Sequence, residues 1–282
     1  MHTQPHDHAY SFEFFPPKTE PGEEKLLTTH DKLAELKPRF FSVTFGAGGS
    51  TRDRTLDAVL KIKQRDSEAA PHISCIASNK AEIKNLLKTY QDNDIKHLVA
   101  LRGDMPSGAY ESGEFHYANE LVEFIRQETG QHFFIEVAAY PEFHPQAKNP
   151  EHDLQSFACK AKAGADSAIT QYFYNPDSYF YFVERCDQLG VTIPIVPGIM
   201  PITNFEKLAR FSDACGAEIP RWIRWQLEAY QHDSESLKAF GIEVVTNLCE
   251  QLLAAGAPGL HFYTMNQAEP TTTIWKNLGL PR

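Results

Sequence analysis

Glu13 is an ionisable acid set among aromatic residues in Ser11-Phe12-Glu13-Phe14-Phe15-Pro16-Pro17, a strand-like run that two prolines terminate. Burial among rings disfavours the charged form of an acid and raises its pKa, which keeps a carboxylic acid protonated near neutrality for use as a proton donor. The alternative is a solvated acid on the outer face of an edge strand. In Leu101-Arg102-Gly103-Asp104-Met105-Pro106, the glycine permits close backbone approach and Arg102 offers donors to phosphate or ring oxygens. Asp104 there either supplies a fixed negative charge for a cationic intermediate or forms a turn paired to Arg102. Tyr140-Pro141-Glu142-Phe143-His144-Pro145 presents a phenol, an acid and an imidazole that line a planar ligand or simply form an ordinary loop. Asp153 and Lys160 share a helix face and either reach toward a ribose and a phosphate or are surface charges. Gly46-Ala47-Gly48-Gly49-Ser50 follows a strand and precedes a helix, where backbone N–H groups can meet an anion or a sugar. Thr51 stands where a dinucleotide fingerprint needs its third glycine, so this is not a Rossmann signature. A flexible turn with Ser50 or Thr51 capping the next helix fits the same residues.

Composition narrows what such residues can serve. The 282-residue chain is 42% hydrophobic and 23% charged, an ordinary soluble balance. No apolar run reaches spanning length, which argues against a membrane protein. The polar start Met1-His2-Thr3-Gln4-Pro5-His6-Asp7-His8 lacks the apolar core of an export signal, so a cytoplasmic location is expected. A net charge of -10 argues against a nucleic-acid surface, and any anionic ligand must be held locally. The twelve histidines form no HExxH or similar ligand spacing, so no metal is expected. Cys75, Cys159, Cys186, Cys215 and Cys249 include no CxxC pair and read as reduced packing residues.

The elements that must position these residues alternate. β-rich runs at Tyr10–Phe15, Phe40–Phe45, His72–Ala77, His97–Leu101, Phe133–Ala139, Ser167–Phe173, Ile193–Pro197 and Gly259–Tyr263 are separated by amphipathic helical stretches. Those stretches are Glu24–Leu36, Thr55–Arg65, Lys80–Asn93, Asn119–Thr129, Leu154–Gly164, Ser178–Leu189 and Phe205–Phe211. A longer helical region through Leu237, Phe240, Val244, Val245, Leu248 and Leu252 stops at Gly256. The pattern predicts one α/β domain over residues 1–282, a (β/α)8 TIM barrel with Ile219–His232 as an insertion; a doubly wound open sheet is the alternative. A barrel gathers chemistry at the carboxyl ends of its strands, where Glu13, Thr44, Arg102-Gly103-Asp104, Tyr140 and Thr170-Gln171 would converge.

An ordered set of segments carries a family resemblance across nearly the whole chain. The set comprises Ser11–Lys18, Ser42–Ala47, Arg52–Thr55, Ala100–Asp104, Ala138–Glu142, Ala168–Gln171 and Leu260–Thr264. Together they resemble bacterial methylenetetrahydrofolate reductases of the catalytic-domain-only type. The resemblance implies a FAD-containing barrel that reduces 5,10-methylenetetrahydrofolate to 5-methyltetrahydrofolate with NADH or NADPH by a ping-pong mechanism. That reaction would supply methyl groups for methionine synthesis. It implies that Glu13 is the general acid at folate N10, opening the ring to a 5-iminium cation, and that Asp104 is the negative charge beside flavin and pterin. Thr44 would contact nicotinamide, while Gln171 and the aromatic Phe211 would contact folate or nicotinamide. Phe45, Ala47, His72, Arg102, Gly103, Ala118, Tyr140, His144, Ala147, Asp153 and Lys160 match the FAD shell. Gln267 departs from the family, standing in for a folate-contacting arginine without its charge or bidentate fork. The resemblance further implies a homo-oligomer, and no S-adenosylmethionine-binding regulatory domain is expected. A different flavin barrel, such as a proline dehydrogenase-like enzyme, or a cofactor-free barrel lyase or binding module, are the competing readings.

Overall fold

A computed structural model describes residues 8–46, 51–103 and 113–281. Every strand pairs in parallel, in the order β7-β6-β5-β4-β3-β2-β1-β9-β8. The strands are β1 (Ala9–Phe14), β2 (Phe40–Val43), β3 (Ala69–Ser74), β4 (His97–Leu101), β5 (Phe134–Ala139), β6 (Ser167–Thr170), β7 (Ile195–Val196), β8 (Gly198–Ile199) and β9 (Gly259–Tyr263). Pro197 separates β7 from β8, and the two fragments are halves of one stave: the first pairs with β6 and the second with β9. The interruption has a simple cause, because Pro197 has no N–H for the ladder. Its carbonyl still accepts the His261 N–H at 3.0 Å, so the seam is bonded and the architecture is the expected (β/α)8 barrel.

Helices return the chain between staves. They are α1 (Glu20–Ala34), α2 (Arg52–Lys63), α3 (Lys80–Asp92), α4 (Ala118–Thr129), α5 (Pro150–Lys162), α6 (Pro176–Gln188), α7 (Phe205–Cys215), α8 (Arg221–Ala229), α9 (Ser234–Ala254) and α10 (Glu269–Asn277). Their starts are written locally. Asn149 caps α5 through the His152 N–H with Pro150 behind it, and Asn79 and Glu82 form a reciprocal capping box on α3.

Alternation along β1 divides its residues between two environments. Phe12 and Phe14 face the helices, where Phe14 stacks on Phe41 and Phe12 lies near Phe262 and Trp275. Ser11 and Glu13 point the other way, and register sets Ser11 beside Phe40 and His261, and Glu13 beside Ser42 and Tyr263. A separate apolar cluster of Phe40, Ala70, Val99 and Ile169 fills the barrel interior.

Several boundaries differ from the sequence expectation. β3 begins at Ala69, so His72 lies mid-strand instead of at its start. Ala-Ala-Pro carries little strand signal, and burial between β2 and β4 overrides that weak propensity. β6 ends at Thr170, leaving Gln171 just beyond the strand. The anticipated insertion contains helix α8, and α10 was not anticipated because Glu-Pro-Thr-Thr-Thr is poor in strong helix formers. Cys75, Cys186 and Cys249 pack in the core as expected, whereas Cys159 is exposed, correcting its assignment as a packing residue.

Candidate active site

Glu13 sits in the barrel interior with only 7% of its surface exposed. Its Oε2 receives a hydrogen bond from Ser42 Oγ at 3.4 Å and lies 3.2 Å from His72 Nε2 and 3.6 Å from His261 Nε2. Neither imidazole Nε2 makes an aligned hydrogen bond with it. Ser11 Oγ meets His261 Nδ1 at 2.7 Å, completing a line from Ser11 through His261 to Glu13. On the backbone side, Thr264 Oγ1 donates to the Glu13 carbonyl at 2.6 Å.

This cluster corrects the expectation of a raised acid. Burial pushes the Glu13 carboxyl up, but the charge of His72 and the contacts of both imidazoles pull it down further, to about 2. The carboxyl takes its pKa from the Glu13–histidine cluster as a unit. His72 therefore stands against the carboxylate deep in the barrel.

Next to this interior, at the carboxyl ends of β4 and β5, a cavity of about 520 Å³ opens. Arg102, Gly103, Ala118, Tyr140, His144, Ala147, Asp153 and Lys160 all line it, bringing together the loops after β4 and β5 with helices α4 and α5. Gly103 has φ +82°, and a Cβ there would lie 1.9 Å from Ser74 Oγ, so backbone alone fits that wall. Lys160 donates to the Ala138 carbonyl at 2.5 Å, and loss of solvation lowers its ammonium to about 8 despite the opposing charge of Asp153. Asp153 accepts the His144 N–H at 2.9 Å and so ties α5 to the loop, while Tyr140 and His144 meet edge to face. Arg102 bonds Gln146 across the mouth. Glu142, expected beside His144, turns away and accepts the Glu218 N–H at 2.8 Å.

The remaining expected residues are placed as follows. Thr44 and Phe45 follow β2 and are half-buried. Gln171 is half-buried past β6, with its Oε1 turned back to the Tyr172 N–H. Phe211 is 44% exposed on α7, and Gln267 is exposed after β9. Ala47 and Asp104 lie outside the described residues. Sequence reasoning did not single out His261, Ser11 or Ser42. The available signal was the alternation of β1 and β9, which sends residues 9, 11 and 13 and residues 259, 261 and 263 to the same side.

The cavity's cation, its glycine wall and its polar rim fit an anionic, partly planar ligand such as a flavin dinucleotide. Comparison with known proteins bears on the family. A family model described as methylenetetrahydrofolate reductase matches residues 1–279. The 5,10-methylenetetrahydrofolate reductase of Salmonella typhimurium is 41% identical over 96% of this chain and 90% of its own length. That of Escherichia coli is 40% identical over the same shares. Methylenetetrahydrofolate reductase (NADH) 1 of Arabidopsis thaliana is 40% identical over 96% of this chain and 48% of that protein. Among solved structures, a Clostridium thermocellum protein described as binding two copies of 5-methyl-5,6,7,8-tetrahydrofolic acid has the same fold. It superposes with a TM-score of 0.69 at 17% identity, covering 97% of this chain and 94% of that one. By extent and identity together, the chain belongs to the methylenetetrahydrofolate reductase family.

Proposed function

We propose that the chain reduces 5,10-methylenetetrahydrofolate to 5-methyltetrahydrofolate in ping-pong order, with FAD in the cavity at the carboxyl end of the barrel and NADH or NADPH as donor. The observation that carries this reading is the meeting of eight distant residues, from Arg102 to Lys160, around one cavity at the end of the barrel toward which Glu13 lies. Bound FAD would supply the hydride chemistry between nicotinamide and folate. Lys160 and Arg102 would hold its anionic portion, Gly103 would let backbone approach it, and Asp153 would order the His144 loop beside it. The plant relative named for NADH supports that donor over NADPH.

The chain's own proton chemistry would centre on the interior cluster. Glu13 would pass a proton shared with the adjacent imidazoles to folate N10, opening the ring to the iminium form. Ser42 and Ser11 orient the carboxylate and His261. Gln171, Phe211 and Gln267 would contact folate, Thr44 the nicotinamide, and Asp104 would contribute a negative charge toward the cation. Cytoplasmic residence and a homo-oligomer belong to the same reading; sedimentation velocity tests the second.

The test is the visible spectrum of the protein under anaerobic conditions. A flavin band that bleaches with NADH and returns with methylenetetrahydrofolate is expected. Glu13→Gln should keep the first change and lose the second. No flavin band after reconstitution with FAD would overturn the proposal.

A further inference from the structure

Thr170 ends β6 where the neighbouring stave is broken by Pro197. The register sets Ala168 opposite Ile195 and Ile169 opposite Val196, so Thr170 falls opposite Pro197. In a continuous parallel ladder the Thr170 carbonyl would then accept the Gly198 N–H. That N–H turns instead to the Thr170 side chain, donating to Oγ1 at 2.9 Å. The carbonyl oxygen is left for another donor, and the phenol of Tyr263 supplies it, Oη donating at 2.7 Å.

The phenol reaches Thr170 from β9 by crossing Gly198. A Cβ at that glycine would lie 2.6 Å from the Tyr263 ring and 2.9 Å from its Oη, so the missing side chain is what opens the path. Burial, with the charge of Glu13 adding to it, pushes the Tyr263 hydroxyl well above its ordinary pKa, which keeps it a protonated donor at neutral pH.

The peptide unit joining Thr170 to Gln171 is planar, and both of its polar ends are held. Tyr263 holds the carbonyl, and the Ala139 carbonyl accepts the Gln171 N–H at 2.7 Å. Fixing that plane fixes the direction in which the Gln171 side chain leaves the strand end. Tyr263 is also the β9 residue paired with Glu13 in the register. One side chain thus ties the strand ends that carry the acid to the peptide that carries Gln171. We propose that Tyr263 is a positioning residue for the folate half of the reaction, setting Gln171 relative to Glu13 through the Thr170 carbonyl. The inference rests on the reductase reading above and gives Tyr263 its role without contact to either ligand.

Tyr263→Phe keeps the ring and removes the donor. In stopped-flow measurements on the FAD-loaded protein, reoxidation of the NADH-reduced flavin by saturating methylenetetrahydrofolate should slow about tenfold in this variant, the scale of one lost hydrogen bond. Gln171→Ala should slow the same step, and adding Tyr263→Phe to it should slow the step no further, a non-additivity that general loosening of the barrel would not produce. Reoxidation of Tyr263→Phe within about twofold of wild type, or losses that multiply in the double variant, overturns the inference and leaves the reductase reading standing. A wild-type protein whose reduced flavin is not reoxidised by methylenetetrahydrofolate overturns that reading, and this inference with it. Should Tyr263→Phe fail to fold, a crystal structure of the wild type with folate bound decides: the Tyr263 bond kept and Gln171 on the folate supports the inference, and either one missing overturns it.

Discussion

At Glu13, burial and charge oppose one another, and the two histidines decide the outcome. The carboxyl moves from an ordinary 4.5 to about 2. A depressed acid contributes stability that is complete above its unfolded pKa and is lost as pH falls toward the folded value. Denaturation of wild type and Glu13→Gln across the window from 4.5 down to about 2 should therefore show a stability loss in wild type that the variant lacks. Lys160 has the opposite chemistry with a related consequence. Its ammonium, lowered from 10.5 to about 8, loses charge as pH rises through that value in the free protein. FAD affinity should accordingly weaken by about tenfold from neutral to more alkaline pH. Lys160→Met should bind FAD weakly and without that pH dependence, as measured by flavin fluorescence titration.

Among the elements, the junction of β1 with β9 and the broken seventh stave do the positioning. After β9, Met265 and Asn266 adopt φ of 53° and 54°, and Asn266 exchanges two hydrogen bonds with the Phe15 backbone. With Thr264 on the Glu13 carbonyl, these contacts clamp the strand end that carries the acid. Asn266→Ala should cost about 1–2 kcal/mol by urea denaturation, through two lost hydrogen bonds, and slow folate reduction more than NADH oxidation. At the seventh stave, the Gly198 N–H donates to Thr170 Oγ1, and a Cβ there would lie 2.1 Å from the Thr170 carbonyl oxygen and 2.6 Å from the Tyr263 ring. Gly198→Ala should thus destabilise by about 3 kcal/mol, because backbone on one side and a buried ring on the other leave no room to relax.

Over the whole molecule, closure links the first strand to the last elements. Trp275 on α10 is 2% exposed and packs on Tyr10 at 4.6 Å and near Phe12, sealing the outer face of β1. Trp275→Ala should cost about 3–5 kcal/mol. Because β1 is held by both β2 and β9, loss of that seal should lower one cooperative transition instead of creating a second one; calorimetry showing two transitions would divide the chain into separate units. The same closure gives the barrel two ends, a larger cavity beside the acid cluster and a smaller cavity opposite.

Local pattern in the chain was enough to read alternating strands and helices, parallel pairing and the gathering of Glu13, Arg102 and Tyr140 at the strand ends, because period, capping and propensity act over a few residues. It also carried the ordered segments that mark the family. The broken stave at Pro197, the weakly signalled start of β3 and helix α10 were set by packing that outweighs local preference. Distance along the chain hid the partners of Glu13: His261 reaches Ser11 across 250 positions, and only closure of β9 on β1 brings its ring to the carboxylate. The direction of the Glu13 shift followed from that meeting. Apolar neighbours in sequence argue for a raised acid, whereas a buried carboxyl takes its pKa from whichever charges the fold sets against it.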